Sequence, residues 1–290
     1  MAAPRIRLLI PYFGRWPFWM PFFLESCRYN PDIDWLFFSD CGVPADLPAN
    51  VTIEPMTFAA YCQLVSERLG IAFQPQSPYK LCDIKPALGH IHADRLDGFD
   101  FWGFSDIDLV YGDLRAYFTA ERLARFDLLS THARRISGHL CLLRNTPRMR
   151  EAFMQVAGWR QAFQQTEHLA FDEGAFSRLF IRRKNWPAGL RRLVDLGNPW
   201  RRCSEFVEAF STPGARVPWL DGGFDFPACW TWCEGRLTNE RDGAREFPYF
   251  HFITWKGDAW PACPPETLVP SPALAAQRAW RITAQGFRGA

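Results

Sequence analysis

The chain has 290 residues, of which 48% are hydrophobic and 16% are aromatic, and its formal net charge at pH 7 is +2. This hydrophobic fraction suffices for a full core, which argues against intrinsic disorder, and the length fits one large domain or two small ones. The near-neutral charge argues against a general nucleic-acid-binding protein, because such a protein needs a strongly basic face.

The nine cysteines are scattered along the chain without a regular framework. This pattern favours free thiols in a reducing environment over disulfides. The amino-terminal segment lacks the long apolar core of a signal peptide, and no apolar run reaches the roughly 18 residues that a membrane-spanning helix needs. We therefore expect a cytoplasmic protein.

The first part of the sequence alternates between predicted strands and helices. Apolar runs predict strands over residues 5–13, 33–40 and 51–56, and Thr57 and Gly70 are typical of the two ends of a helix. This order is typical of an α/β protein with a mostly parallel sheet. Ligands of such sheets bind at the carboxyl ends of the strands, so residues at those ends are candidate ligand contacts.

Charged residues at helical spacing precede the central strand. Within residues 77–86, Lys80, Asp83 and Lys85 fall on a face beside the predicted strand ends. A cation and a carboxylate at this position would suit a phosphate and a base or ribose. A surface salt bridge, which contributes little stability, explains the same spacing equally well.

The central feature of the sequence is an aromatic strand that ends in two acidic residues. Residues 99–104 predict a buried strand. Asp106 and Asp108 follow it and face the same way, because side chains alternate along a strand. Two carboxylates about 7 Å apart at this position repel each other and lose hydration. A bound cation would offset both effects, and a solvated turn is the alternative.

Oxygen ligands of this kind favour Mg²⁺ or Mn²⁺, which usually keep some water and bind substrate phosphates. Because the two carboxylates are expected to repel each other, replacing Asp108 with Asn should leave the stability of the free protein level or raise it.

Residues 182–202 form a basic insertion in which seven Arg or Lys residues stand against one Asp, with Leu and Trp between them. This composition fits an anionic membrane surface or a diphosphate-lipid acceptor. A solvated surface face is the alternative. We expect one catalytic domain over residues 1–260, which includes this insertion, and a tail over residues 261–290.

The metal-site residues resemble those of a known superfamily. Asp106 and Asp108 after an aromatic strand, followed much later by a segment from His251 to Lys256, resemble the nucleotide-sugar glycosyltransferases with the GT-A fold. The most similar pattern is that of glycogenin and the lipopolysaccharide galactosyltransferases. The resemblance implies that His251 completes the metal site and that Lys256 meets the diphosphate. A buried core histidine is the alternative for His251.

The resemblance covers roughly residues 5–260 and implies a GT-A-like, Rossmann-type fold with a mostly parallel central sheet flanked by helices, followed by a loop-rich extension. It implies a hexosyltransferase of the retaining type that uses Mn²⁺ or Mg²⁺ to move a sugar from a UDP- or GDP-linked donor to a glycan or lipid-linked acceptor. The expected nucleotide contacts are Pro11, Tyr12, Phe13, Asp40, Lys80, Asp83, Asp106 and Lys256.

An inverting enzyme needs a carboxylate base near the acceptor hydroxyl, and Asp172 and Glu173 are the candidates. Acids in a first helical turn, which the helix dipole favours, are the alternative explanation of this pair.

The chain also resembles a bacterial family of predicted transferases found with surface-polysaccharide genes. This likeness implies a role in surface-polysaccharide synthesis, with peripheral contact at the inner membrane face as one option. Two other function classes stay open. A sugar-nucleotide nucleotidyltransferase normally needs a Gly-rich turn after the first strand, where this chain has only Gly14. A non-catalytic carbohydrate-binding or assembly protein is compatible with the aromatic composition.

Overall fold

The computed structural model describes residues 3–183, 185–212, 217–264, 268 and 272–290. Within the basic insertion, Lys184 and the side chains of Arg191 and Arg192 lie outside the described residues.

The strands of the described residues form three sheets. They are β1 (Ile6–Pro11), β2 (Ile33–Ser39), β3 (Val51–Pro55), β4 (Phe101–Ser105), β5 (Leu109–Tyr111), β6 (Leu128–Ser130), β7 (Leu140–Arg144), β8 (Ser204–Phe206), β9 (Cys229–Cys233), β10 (Arg236–Asn239), β11 (Tyr249–His251), β12 (Ala279–Thr283) and β13 (Gly286–Gly289).

The helices are mostly short. The α-helices are α1 (Met20–Arg28), α2 (Phe58–Leu69), α3 (Leu88–Ile91), α4 (Leu114–Tyr117), α5 (Ala120–Arg125), α6 (Pro147–Arg150), α7 (Trp159–Gln164), α8 (Ser177–Phe180), α9 (Ala188–Leu196), α10 (Pro199–Arg202) and α11 (Pro272–Ala275). The 3₁₀ segments are Pro78–Ala87, Ala93–Arg95, Ala152–Gln155 and Trp260–Ala262, and the π-helical turns are Asp172–Phe176 and Trp255–Ala259. No helix of the described residues is long and apolar enough to cross a membrane.

The largest sheet has seven strands in the order β3-β2-β1-β4-β7-β6-β8. Four of its neighbouring pairs are parallel, and β7 runs antiparallel to both of its neighbours. The expected α/β fold with a mostly parallel sheet flanked by helices is therefore confirmed. The carboxyl ends of β1 and β4, which carry predicted site residues, are adjacent because these two strands pair directly.

Both faces of this sheet are covered, because successive residues of its buried strands point to opposite sides. Leu9 of β1 packs into a core cluster with Tyr61 and Val65 of α2. Leu8 packs into the opposite cluster with Phe23 of α1. The near-continuous apolar runs of β1, β2 and β4 are thus explained by burial on both sides.

The small sheet of β5 and β11 brings a late part of the chain beside the acidic pair. The two strands are antiparallel, with Leu109 opposite His251 and Tyr111 opposite Tyr249. Because β5 starts directly after Asp108, this register places His251 beside the acidic pair. The pairing spans more than a hundred residues of sequence.

The third sheet has the order β10-β9-β12-β13 and is built from the carboxyl-terminal part of the chain. Its buried side includes Trp230, Trp232, Trp280 and Phe287. The sequence predicts loops over residues 213–240 and a tail with little periodicity before a short closing helix, whereas the structure places antiparallel strands in both regions. The two tryptophans of β9 alternate with half-buried and exposed neighbours, which is the pattern of a strand with one covered face. The division at residue 260 stays a prediction.

Candidate metal and nucleotide site

Three predicted metal ligands meet at one point of the structure. Asp106 follows β4, Asp108 precedes β5, and His251 ends β11. One ligand atom from each of the three lies within 4.8 Å of the others. The predicted convergence of the three side chains is confirmed, and the β5–β11 pairing is its structural cause.

The His251 imidazole is oriented towards the carboxylates. Its Nε2 atom lies 3.4 Å from Asp108 Oδ2, and its Nδ1 atom lies 3.5 Å from Thr212 Oγ1. The residue is 3% exposed, and Nε2 has no hydrogen-bond partner within the part of the chain that the structure describes. Buried polar atoms are normally hydrogen-bonded. A buried ring nitrogen that makes no hydrogen bond to a described residue and lies 3.4 Å from a carboxylate of the acidic pair therefore fits a metal ligand.

Each carboxylate already has a lysine partner. The Lys85 ammonium donates to Asp106 Oδ1 at 2.5 Å and to the Gly138 carbonyl at 2.7 Å. The Lys256 ammonium donates to Asp108 Oδ2 at 2.6 Å. The sequence predicts two carboxylates that repel each other unless a cation binds, and the structure corrects the expected repulsion, because two lysine ammonium groups already neutralise the carboxylates.

Asp106, Asp108, Lys85, Lys256 and His251 form a charged cluster. The opposite charges in this cluster stabilise one another. Burial alone would raise the pKa of Asp108, but His251 and Lys256 outweigh it and hold that pKa well below its usual range. Burial alone would lower the pKa of Lys85, but the neighbouring Asp106 carboxylate raises that pKa above its usual range. Asp108 and Lys85 are therefore both charged at neutral pH, in a part of the protein where charge is costly unless paired.

A cavity of about 410 Å³ opens beside these residues. Its lining includes the predicted nucleotide contacts Pro11, Tyr12, Phe13, Asp106 and Lys256. Lys85 and Asp108 also line it, so the charged cluster forms one of its walls. Five of the eight predicted nucleotide contacts thus share one cavity with the acidic pair.

Tyr12 lies where β1 ends, on the wall of this cavity. Its ring stacks on Trp16 with 5.4 Å between ring centroids and an interplanar angle of 8°. Its hydroxyl donates to the Arg15 carbonyl at 3.0 Å. These contacts fix the orientation of the Tyr12 ring. The three residues Pro11, Tyr12 and Phe13 are uncharged, so this part of the cavity wall offers an aromatic surface and no ionic group.

Asp40 does not line this cavity. Its Oδ1 atom accepts a hydrogen bond from the Gly14 amide at 2.8 Å. Gly14 has a φ of +112°, a conformation that favours glycine. Asp40 thus stabilises the turn that follows β1, and a direct contact between Asp40 and a nucleotide stays a prediction.

Lys80 and Asp83 are not brought to the cavity, which corrects the sequence prediction for this pair. They are 1% and 0% exposed and form an ion pair of 2.8 Å. Lys80 also donates to two carbonyls, and Asp83 accepts from the amides of Leu169 and Phe171 at 2.8 Å each. The pair holds the segment before the Asp172 turn against the 3₁₀ segment Pro78–Ala87. Both side chains are fully occupied by these structural contacts.

Asp172 and Glu173 both lie against one glycine, Gly138. A Cβ atom added to Gly138 would lie 2.8 Å from Asp172 Oδ2 and 3.0 Å from Glu173 Oε1. The Gly138 amide donates to Glu173 Oε1 at 3.2 Å, and its carbonyl accepts from Lys85. A contact path therefore runs from Asp106 through Lys85 and Gly138 to the two predicted catalytic carboxylates.

The Asp172 carboxyl is 3% exposed. Burial raises its pKa to about 7, although the nearby Lys85 acts in the opposite direction. A carboxyl with such a pKa changes its charge within the physiological range, which is typical of functional sites.

Sequence analysis did not identify Gly138 and His139 as residues of this site. The buried His139 ring lies 4.3 Å from the His251 ring, and its Nε2 atom lies within 3.0 Å of the Ser137, Tyr249 and Thr212 hydroxyls. Burial lowers the pKa of His139 well below its usual value, which keeps the ring neutral. The sequence feature that could have pointed to these two residues is the short Ser-Gly-His run directly before the apolar strand β7.

Comparison with known proteins gives one family and several structural likenesses. A family model described as a family of unknown function, DUF6625, matches residues 8–259. No curated protein gives a significant match. A galactosyltransferase, LgtC, in complex with donor and acceptor sugar analogues, is 8% identical, with coverage of 69% of this chain and 86% of LgtC and a TM-score of 0.35. Mouse xyloside xylosyltransferase 1 in its apo form is 11% identical, with coverage of 72% and 87% and a TM-score of 0.38. Since the family model spans most of the sequence, the chain belongs to the DUF6625 family.

Proposed function

We propose that this protein is a metal-dependent glycosyltransferase that moves a sugar from a UDP- or GDP-linked donor to a glycan or lipid-linked acceptor in surface-polysaccharide synthesis. The observation that carries the proposal is the convergence of Asp106, Asp108 and His251 within 4.8 Å at the wall of a cavity that Tyr12 and Lys256 also line. Paired carboxylates and an imidazole beside two lysine ammonium groups suit a nucleotide diphosphate and its metal.

Asp106, Asp108 and His251 would hold Mn²⁺ or Mg²⁺. The bound cation supplies positive charge that offsets the charge developing on the leaving diphosphate. Lys256 supplies a second positive charge. Its side chain is 40% exposed, so its ammonium group can leave Asp108 and bind a phosphate oxygen of the donor. Lys85 is fixed by two hydrogen bonds and keeps Asp106 oriented.

Asp172 has a role on the donor sugar in this proposal. We infer a retaining hexosyl transfer, as in the glycosyltransferases that the metal segment resembles. An ionised Asp172 would stabilise the positive charge that develops on the sugar ring in the transition state. An inverting transfer would use the same carboxylate as a base. Both routes require the ionised form, and the anomeric configuration of the product, measured by NMR, distinguishes them.

The transfer rate is expected to rise as the pH increases through about 7, the pKa of Asp172. Asp172→Asn should lower the rate by about 100-fold and abolish this rise, because the replacement cannot ionise. Rates measured between pH 5.5 and 8.5 test this expectation, with Glu173→Gln as the matched variant of the neighbouring carboxylate. A rise that persists unchanged in Asp172→Asn would assign the titration to another group.

The same variant has a second, independent readout. The pKa of Asp172 is raised in the folded state, so the neutral carboxyl stabilises the fold at low pH, and this stabilisation is lost as the pH rises from about 4 to about 7. The difference in thermal stability between Asp172→Asn and the wild type should therefore shift in favour of the variant when the pH is raised from 5 to 8. Thermal unfolding curves at both pH values measure this difference.

Titration calorimetry with UDP and GDP, with and without Mn²⁺, tests the proposed function. One of the two nucleotides should bind about tenfold or more tightly when Mn²⁺ is present, because its diphosphate shares the cation with Asp106 and Asp108. Tyr12→Ala should weaken that binding, whereas Tyr12→Phe, which keeps the ring, should weaken it less. Equal affinities with and without Mn²⁺ would reject the proposal.

The same preparation discriminates between the alternatives. Release of sugar from a panel of UDP- and GDP-sugars with Mn²⁺ indicates a transferase. Release of pyrophosphate from a nucleoside triphosphate and a sugar phosphate indicates a nucleotidyltransferase. Carbohydrate binding without either reaction indicates a binding or assembly protein.

We propose a cytoplasmic location with peripheral contact at the inner membrane face. Helix α9 supports this contact, because Leu190, Leu193 and Leu196 are 52%, 66% and 71% exposed in a basic part of the chain. Exposed leucines beside arginines are typical of helices that lie on anionic membranes. Sedimentation with phosphatidylglycerol vesicles at low and high salt measures the contact, which should weaken as salt increases.

A further inference from the structure

A second cavity, of about 390 Å³, adjoins the proposed catalytic site. Its lining includes the arginines Arg134, Arg178 and Arg183, together with Glu173 and Trp186. Arg134 belongs to the loop between β6 and β7, Arg178 to α8, and Arg183 to the segment that follows α8. Three separate parts of the chain thus direct cationic side chains to one concave surface.

These three arginines have no carboxylate partner among the residues that the structure describes. Glu173, the acidic residue of this lining, is already paired, since its Oε2 atom lies 3.2 Å from Arg135 Nη1 and its Oε1 atom accepts from the Gly138 amide. The cavity therefore carries a net positive charge. Guanidinium groups bind carboxylates and phosphates through two parallel hydrogen bonds, which makes such a cavity suited to an oxyanion.

Trp186 supplies an aromatic surface at the same place. Its amide donates to the Arg183 carbonyl at 2.8 Å, and the Arg183 guanidinium lies 5.1 Å from the centre of its ring. The turn formed by these residues thus holds a guanidinium beside an indole. Trp186 is 44% exposed, so much of its surface is available. An aromatic face of this kind is suited to the apolar side of a sugar ring.

The cavity connects directly to the proposed catalytic residues. Lys85, which lines the donor cavity, donates to the Gly138 carbonyl, and the Gly138 amide donates to Glu173, which lines the second cavity. The two cavities are therefore linked by the hydrogen bonds that run from Lys85 through Gly138 to Glu173. Glu173, which lines the second cavity, directly follows Asp172, the residue with the proposed role on the donor sugar.

We propose that the second cavity binds the acceptor, and that this acceptor is a glycan with a carboxylate or phosphate group. The anionic group binds to Arg134, Arg178 and Arg183, and a sugar ring of the acceptor packs against Trp186. This inference rests on the proposed glycosyltransferase function and adds the chemical class of the acceptor. A lipid surface fits less well, because the arginines line a concave wall shared with Glu173 and a flat membrane contacts protruding groups.

Saturation-transfer NMR titrations with glucuronic acid, glucose 6-phosphate and glucose test this proposal. At least one of the two acidic sugars should bind about tenfold more tightly than glucose, with an affinity that falls as salt increases. The comparison between glucuronic acid and glucose 6-phosphate identifies which oxyanion the cavity prefers. Arg178→Gln and Arg134→Gln should each weaken binding of the preferred acidic sugar about fivefold or more. Arg125→Gln, which removes an exposed arginine outside both cavities, should leave it unchanged.

Three results would overturn the proposal. The first is equal affinity for glucose and both acidic sugars, and the second is wild-type affinity for the acidic sugars in Arg178→Gln and Arg134→Gln. The third is loss of phosphatidylglycerol-vesicle binding in these variants while the wild type binds neither acidic sugar, which would assign the arginines to a lipid surface. Failure of the proposed function is measured separately, by the absence of Mn²⁺-dependent UDP or GDP binding in the wild type.

Discussion

Replacing Asp108 with Asn is expected to lower the rate of sugar transfer by about 100-fold or more while the protein still folds. The substitution keeps the size and shape of the side chain but removes the negative charge that would hold the cation. The lost stabilisation falls on the departing diphosphate. Initial rates with a saturating nucleotide sugar and Mn²⁺ measure the effect, and Asp97→Asn, which changes an exposed aspartate away from the cavity, is the matched control.

The stability of the free Asp108→Asn protein is expected to fall, by about 1–2 kcal/mol. This reverses the expectation from sequence, because Asp108 accepts a hydrogen bond from Lys256 and faces His251. The depressed pKa of Asp108 indicates that its neighbours stabilise the charged form. The effect is limited because the Lys256 side chain is 40% exposed and can be solvated once its partner is lost.

Thermal unfolding with and without UDP, GDP and Mn²⁺ separates the two effects of this substitution. The wild type should gain stability when nucleotide and metal bind, and Asp108→Asn should gain less. A fully active Asp108→Asn enzyme would end the metal-dependent interpretation. A free Asp108→Asn protein more stable than the wild type would mean that repulsion between the carboxylates outweighs their lysine partners.

The acidic pair could be predicted from sequence because its signal is local. An apolar strand, its abrupt end and the alternation of side chains all lie within residues 99–108. The contribution of His251 could not be predicted from local pattern, since β5 and β11 are three residues each and pair across a long stretch of chain. Only the resemblance to glycosyltransferases connected His251 with Asp106 and Asp108.

The spacing of charged residues in the sequence could not predict which of them are buried. Lys80, Asp83 and Lys85 share one short segment and look alike in sequence. Lys85 reaches the donor cavity, whereas Lys80 and Asp83 are covered by residues 162–171, which lie about eighty positions later. Whether a charged residue faces a ligand or the core thus depends on a distant segment that no local pattern reveals.

The carboxyl-terminal sheet shows how composition can hide a regular pattern. Residues 213–240 are rich in Gly, Pro and Trp, a composition that favours loops. The tryptophans of β9 nevertheless alternate as in a strand with one covered face. Strand β12 pairs with β9 so that Trp232 and Trp280 stack with 4.6 Å between ring centroids. Packing between aromatic side chains outweighs the local preference for turns in this region.

Replacing Asp83 with Ala is expected to destabilise the protein by about 3–5 kcal/mol, the largest stability effect that we predict. Asp83 is fully buried, and its loss leaves the Lys80 ammonium buried without its carboxylate and the amides of Leu169 and Phe171 without an acceptor. Unpaired groups of this kind incur the full cost of lost hydration. Denaturant unfolding measures the change in the free energy of unfolding.

Asp94→Ala is the matched control, because Asp94 pairs with Arg68 at 3.4 Å while both side chains are about half exposed. Its loss should cost less than about 1 kcal/mol. The double replacement Lys80→Met with Asp83→Leu should recover part of the stability lost in Asp83→Ala, because apolar residues of similar volume can replace a buried ion pair. Nucleotide affinity of the folded fraction should stay at the wild-type level, since neither residue of the pair lines the donor cavity. An Asp83→Ala protein that is as stable as Asp94→Ala but binds nucleotide more weakly would instead return Lys80 and Asp83 to the nucleotide site that the sequence predicts.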